Sequence, residues 1–154
     1  MTRVAINGFG RIGRLVFRHF MEEDGFEVVA VNDIADPANL AYLLRRDSVH
    51  ADPGVEVAAG DGELRWGDRS VRFLSERDPT SLPWKEMDVE IAVEATGLFT
   101  KRDDAAKHLE AGADRALISA PGKGVDLTVC MGVNEDVFDP EKHRVVSNAS
   151  CTTN

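Results

Sequence analysis

Two cysteines in 154 residues are too few for a disulfide framework, so the chain is expected in a reducing compartment, the cytoplasm. No apolar run nears the length of a membrane-spanning helix, and no signal-like apolar stretch opens the chain; a membrane is therefore not an expected partner. Basic charge is scarce. Lys and Arg number 18 against 27 Asp and Glu, a formal net charge of −9. That balance argues against a general nucleic-acid-binding surface. Internal repeats and low-complexity segments are lacking too, which excludes a solenoid or a linker. What remains is 43% hydrophobic and 29% charged, the composition of one globular domain large enough to bury a core. Arg exceeds Lys 13 to 5 and Asp is the commonest acid, a balance that suits a high-salt or GC-rich source.

The chain opens with Arg3-Val4-Ala5-Ile6-Asn7, a β-branched run that reads as a buried parallel strand. Gly8-Phe9-Gly10-Arg11-Ile12-Gly13 follows, with G-x-G-x-x-G spacing. Apolar residues then recur at helical period, at Ile12, Leu15, Val16 and His19/Phe20, predicting a helix from Gly10 to Glu23 with Gly25 as its exit. Glu27 to Asn32 is a second strand, and Asp33 stands at its end, 20 residues after Gly13. A glycine motif between strand and helix, followed by an acid after the next strand, is a dinucleotide fingerprint. Gly8 allows the tight turn, Gly10 lets a pyrophosphate approach the backbone, and Gly13 lets helix pack on strand. The helix N-terminus offers N–H donors to phosphate. Asp33 accepts from ribose hydroxyls and repels a 2′-phosphate, so the expected cofactor is NAD rather than NADP.

Asp36-Pro37 predicts an N-cap and a second helix to Arg46. From Val55 the period falls to two, through Leu64/Trp66 and Val71/Phe73, which predicts an antiparallel meander. Val89 to Glu94 is a further strand, ending at Ala95-Thr96-Gly97. Thr100 and Asp103 have capping-box spacing, predicting a helix that ends near Ala111-Gly112. Strands are expected at Ala116–Ser119, at Leu127–Met131 including Cys130, and at Arg144–Ser147. The fold expected is α/β: a doubly wound, mostly parallel Rossmann sheet with an inserted antiparallel meander. Asn7, Asp33, Glu94-Ala95-Thr96, Ser119 and Cys151 then all fall at carboxyl strand ends, where such sheets bind ligands. No metal site is read from the sequence.

The last strand leads into Asn148-Ala149-Ser150-Cys151-Thr152-Thr153-Asn154. Small hydroxylated residues cap helix N-termini. A cysteine there meets unpaired N–H groups and the positive end of a helix dipole, which favour the nucleophilic thiolate.

These residues together resemble one family, the phosphorylating glyceraldehyde-3-phosphate dehydrogenases. The likeness is carried by Ala5 to Arg14, Asn32-Asp33, Asp47-Ser48-Val49-His50, Glu76-Arg77-Asp78-Pro79, Glu94 to Gly97, Ile118 to Pro121, Gly132 to Glu135 and, most specifically, Ser147 to Asn154. The resemblance implies that Cys151 is the catalytic nucleophile, with Ser150 and Thr152 binding substrate or the attacking phosphate. It implies backbone contacts from Arg11 and Ile12 to the pyrophosphate, Asn32-Asp33 at the adenosine ribose, Arg77 beside the adenine, and Thr96 and Ser119 along the nicotinamide side. The implied partners are glyceraldehyde 3-phosphate and inorganic phosphate, and the implied assembly is a homotetramer.

On this reading residues 1–148 form an NAD-binding Rossmann domain, and residues 149–154 begin the active-site helix. The family's histidine base and phosphate-binding arginine belong to a catalytic domain that this sequence does not contain. The chain is accordingly expected to be a fragment with little turnover alone and with an exposed apolar patch. His19, His50, His108 and His143 do not match the base; His19 and His108, on helices, are expected at the surface. Two other readings use the same residues: a related erythrose-4-phosphate dehydrogenase, and a non-catalytic NAD-binding or redox-sensing module with Cys151 as an oxidisable thiol.

Overall fold

The computed structural model describes residues 1–150 and Thr152. Its centre is β1 (Thr2–Asn7), a strand hydrogen-bonded in parallel to β2 (Phe26–Asn32) on one side and to β6 (Ile91–Glu94) on the other. Successive side chains of a strand point to opposite faces. Val4 and Ile6 therefore enter one apolar cluster and Ala5 the other. In β2 the register shifts opposite Val4/Ala5, so that Val29 and Ala30 both join the cluster of Ala5. That is the signature of a bulge, one extra residue that re-aims its neighbours.

Helix α1 (Arg11–Glu22) covers the Val4/Ile6 face. It buries Gly13, Phe17 and Met21, residues four apart on one stripe. Phe17 packs edge-on against Phe9 at 5.3 Å and against Trp66 at 5.6 Å between ring centres. Helix α2 (Pro37–Arg45) starts as expected, with the Asp36 carboxylate accepting from the N–H groups of Ala38 and Asn39.

Strands β3 (Val57–Gly60), β4 (Glu63–Trp66) and β5 (Arg69–Leu74) form the meander. It does not stand apart. Strand β5 pairs in parallel with β2, which extends the main sheet. On the other side of β6 lie β7 (Arg115–Ile118), β9 (Val145–Ser147) and β8 (Leu127–Thr128), all parallel. The nine strands run in the order β3-β4-β5-β2-β1-β6-β7-β9-β8. The chain winds outward from β1 one way through β2, then returns to β6 and winds the other way. The reversal lies between β1 and β6, and this is the switch point of a doubly wound sheet.

Two expectations need correction. The helix predicted from Thr100 is two single turns, α3 (Arg102–Ala105) and α4 (Lys107–Glu110), joined at Ala106. Thr100 does not cap it. Its carbonyl accepts from Lys123 N–H and Arg102 N–H donates to the Lys123 carbonyl, so the capping-box residues are drawn into a strand-like bridge. The strand predicted over Leu127–Met131 stops at Thr128. There the Asn134 side chain accepts from Cys130 N–H and donates to the Thr128 carbonyl, turning the backbone out of the sheet. Met131, Val133, Val137 and Phe138, just beyond, are exposed. No helix among the described residues is long and apolar enough to cross a membrane.

Strand β9 is held at its start by Asp126. One carboxylate oxygen accepts from the N–H groups of Arg144 and Val145, and the other from Arg102 Nε at 2.7 Å. Burial alone would push this carboxyl up, but the Val145 N–H, the Arg102 guanidinium and the Arg144 N–H outweigh it and hold it below the ordinary 3.8. A depressed carboxyl adds stability that is present above its unfolded value and lost as pH falls through the folded one. Asp126→Asn is therefore expected to lower unfolding free energy by about 1–3 kcal/mol at neutral pH. In urea titrations the gap to the parent should close as pH falls below 3.8. A gap that stays constant there would assign the effect to shape rather than charge.

Candidate active site

The carboxyl ends of β1, β2 and β6 open onto a cleft of about 310 Å³ at the switch point. The first strand contributes Asn7, Gly8 and Gly10, and the second Asn32, Asp33 and Ile34. From β6 and its loop come Ala95, Thr96, Leu98 and Phe99, and Glu76 and Arg77 close the side next to β2.

The glycine loop is shaped by what it must approach. A Cβ on Gly8 would lie 2.6 Å from the Thr96 backbone nitrogen, and one on Gly13 would lie 1.9 Å from the Gly8 oxygen. Neither position admits a side chain. Gly10 is different, since a Cβ there would meet nothing within 4 Å. Its open side belongs to the cleft, at the start of α1, whose N-cap has no capping side chain. The first N–H groups of a helix lack partners within it. An uncapped N-terminus behind a bare glycine is therefore a place for an anion to reach the backbone, and these residues fit a dinucleotide pyrophosphate. The exposed side chains of Arg11 and Ile12 leave their backbone as the part that serves such a contact.

Asp33 fastens this loop. One carboxylate oxygen accepts from Phe9 N–H at 2.7 Å and the other from Ala35 N–H at 2.8 Å. Arg14 adds a bond to the Phe9 carbonyl, and Gly8 N–H donates to the Asn32 carbonyl. A carboxylate oxygen can accept twice, so half-buried Asp33 keeps acceptor capacity on the cleft side. The Asn32 side chain brackets Glu76 by donating to its carbonyl and accepting from its N–H. That pair sets the chain at Arg77, whose exposed side chain edges the cleft.

Ser119 follows β7, with its N–H bonded to the Glu94 carbonyl. It is not among the residues that line the cleft. Beyond β9, Asn148 N–H bonds the Ile118 carbonyl, and Ala149 turns the chain with φ of 56°. Half-buried Ser150 places its hydroxyl 3.2 Å from that of exposed Thr152. Two interstrand spacings, ~10 Å, separate β6 from β9 along the same edge. The expected nucleophile Cys151, with Thr153 and Asn154, lies outside the described residues.

The histidines correct one expectation. His19 is exposed, as expected, but His108 is fully buried although it lies on a helix. The face of α4 that carries it turns inward onto Trp84, whose indole Nε1–H donates to His108 Nδ1 at 3.0 Å. His108 Nε2 lies 2.8 Å from a Glu94 carboxylate oxygen. His50 is tied to Asp47, which accepts from the N–H groups of His50 and Val49 and is held down to about 2 by them. His143 Nδ1 accepts from Asp139 N–H. None of the four faces the cleft.

Ile34, Leu98 and Phe99 were not legible as site residues. Their signal is an apolar side chain left in a loop just after a strand: Ile34 is 54% and Leu98 75% exposed. Among the described residues no cluster of His, Cys, Asp or Glu could hold a metal ion.

A family model described as glyceraldehyde 3-phosphate dehydrogenase, NAD binding domain, matches residues 2–102. The chain is 55% identical over 153 residues to glyceraldehyde-3-phosphate dehydrogenase of Geobacillus stearothermophilus, covering 99% of this chain and 46% of that protein. It is 51% identical to glyceraldehyde-3-phosphate dehydrogenase 2 of Bacillus subtilis, over 99% of this chain and 45% of that one. The Streptomyces coelicolor enzyme of the same name is 49% identical, over 99% and 46%. The chain thus spans about half the length of the curated relatives it matches. NAD is the cofactor of the matched domain. Since that match takes in most of the residues and the fold and cleft agree with it, the chain belongs to the glyceraldehyde-3-phosphate dehydrogenase family, as its NAD-binding domain.

Proposed function

We propose that this chain is the cofactor-binding and nucleophile-bearing part of an enzyme that oxidises glyceraldehyde 3-phosphate, with inorganic phosphate, to 1,3-bisphosphoglycerate. The observation that carries this reading is the cleft at the switch point, with its bare Gly10 before an uncapped helix and Asp33 opposite, in a chain of this family. The N–H groups at Arg11 and Ile12 hold the pyrophosphate. Asp33, with Asn32 behind it, receives the adenosine ribose. Arg77 lies beside the adenine, and Thr96 and Ser119 border the nicotinamide side.

The chemistry that NAD supplies when bound is two-electron oxidation, by taking up hydride. The chain's own residues supply the covalent part. The Cys151 thiolate adds to the aldehyde carbon, and the oxidised adduct is a thioester. Inorganic phosphate attacks its carbonyl carbon, releasing the acyl phosphate and restoring the thiolate. Ser150 and Thr152 flank that centre and hydrogen-bond the substrate or the attacking phosphate. The setting is the cytoplasm, where a reactive thiol stays reduced, and the assembly is the homotetramer implied by the family likeness.

The decisive assay follows NADH formation by the full-length protein with glyceraldehyde 3-phosphate and phosphate. Turnover that needs both, and that Cys151→Ser abolishes while NAD binding persists, is the expected result. Turnover with erythrose 4-phosphate only would move the substrate, and none with either aldehyde would sink the reading. Asp33→Asn keeps an acceptor for the loop while removing the charge. By calorimetry it is expected to weaken NAD binding about 10- to 100-fold and to narrow the preference over NADP. Unchanged NAD affinity and preference would remove Asp33 from the ribose site.

A further inference from the structure

Beneath the cleft runs a buried polar chain whose inner members, Glu94, His108 and Trp84, have no part in the proposed reaction. Glu94, 1% exposed at the end of β6, is its hub. One carboxylate oxygen accepts from Asn7 Nδ2 at 2.7 Å and faces His108 Nε2 at 2.8 Å. The other accepts from the N–H and the hydroxyl of Thr96. Asn7 Oδ1 in turn accepts from Asn32 Nδ2 at 2.7 Å.

Donor and acceptor arithmetic fixes every group. An indole N–H only donates, so His108 Nδ1 presents a lone pair to Trp84. The ring proton therefore sits on Nε2 and points at Glu94. The same Glu94 oxygen also accepts from Asn7, which turns its amide nitrogen to the carboxylate and its oxygen to Asn32. A flipped Asn7 would face acceptor with acceptor and donor with donor. Asn7, Asn32 and Thr96 all line the cleft, whereas His108 and Trp84 do not.

We infer that His108, oriented by Trp84, is a positioning residue for the dinucleotide: through Glu94 it fixes the side chains of Asn7 and Thr96 at the cleft floor. The inference rests on the NAD-binding reading above and adds a buried lever to it. Removing the Nε2 donor leaves Glu94 short of one hydrogen bond in a buried site. Asn7 or Thr96 then shifts to compensate, and the cleft loses its preset shape.

The test measures NAD dissociation constants by calorimetry, and KM for NAD against kcat, in the full-length protein. His108→Leu keeps the volume but removes both nitrogens. His108→Gln can still accept from Trp84 and donate to Glu94. The leucine variant is expected to bind NAD about tenfold more weakly and to raise KM for NAD with kcat nearly kept. Glutamine should restore most of the affinity. In a cycle with Asn7→Ala, the double variant should lose little more than the worse single one, because both act on one network.

A folded leucine variant with parental NAD affinity overturns the inference, and so do losses that simply add in the cycle. Should the leucine variant not fold, Trp84→Phe decides: it takes away the donor to Nδ1, with part of the buried ring, but leaves His108 in place. A fall in NAD affinity then supports the lever, and parental affinity overturns it. A parent protein that binds no NAD at all would instead sink the reading on which this rests.

Discussion

A carboxylate with 1% exposure at the carboxyl end of a parallel strand is the constraint on which the middle of this structure depends. Taking such a charge out of water costs several kcal/mol unless its lone pairs are met. Glu94 meets them with four donors drawn from three places: β1, α4 and its own turn. That requirement explains a buried asparagine at the end of β1, a histidine buried on a helix, and a tryptophan whose indole nitrogen faces inward. Apolar replacements of buried ionic groups are often neutral or stabilising. The network is thus a poor device for stability and a good one for fixing the direction of hydrogen bonds where β1 and β6 part.

Asp33 shows the same economy on the other side of the cleft. Two of its acceptor sites hold Phe9 and Ala35, so it shapes the glycine loop before any ligand arrives. The sites it has left serve the ribose in the proposed reading. The residue that would select the cofactor is thereby also the one that pre-forms the surface for its phosphates. Pre-formed surfaces bind more tightly because less has to be ordered on binding. Gly8 and Gly13 complete that surface by closeness: the loop packs so tightly on β6 and α1 that a methyl group has no room.

What was legible in the sequence was short in range. The run Arg3–Asn7, the glycine spacing, the helix that follows it and the cap at Asp36 each depend on residues within one or two turns, and the structure has them. The helix's buried stripe was not legible: Gly13, Phe17 and Met21 face the core, whereas Ile12, expected there, is 45% exposed. The alternation from Val55 to Phe73 was legible as a meander, though its first strand starts only at Val57, and its parallel edge on β2 was not, because period two says nothing of the partner. His108 was misread because its partners lie 14 and 24 residues away, and a helix position alone argues for the surface. The break at Asn134 and the bridge at Lys123 are likewise contacts across loops, made by polar residues that local propensity assigns to turns.

The sheet itself sets how the two halves of the proposed chemistry meet. Strands in parallel register advance along the edge by nearly constant steps, so the end of β9 stands two strands from β6 whatever the loops do. The chain leaves β9 through Ala149 in a left-handed conformation, one that a residue with a Cβ adopts at a cost of about 1–2 kcal/mol. Such strain persists only where neighbours over-determine it. Here Asn148 is tied to β7 and the Ala149 side chain is buried. The turn that carries the Ser150 and Thr152 hydroxyls is therefore aimed by the sheet rather than by its own sequence. The same parallel ladder that positions the glycine loop at one strand end positions these hydroxyls at another.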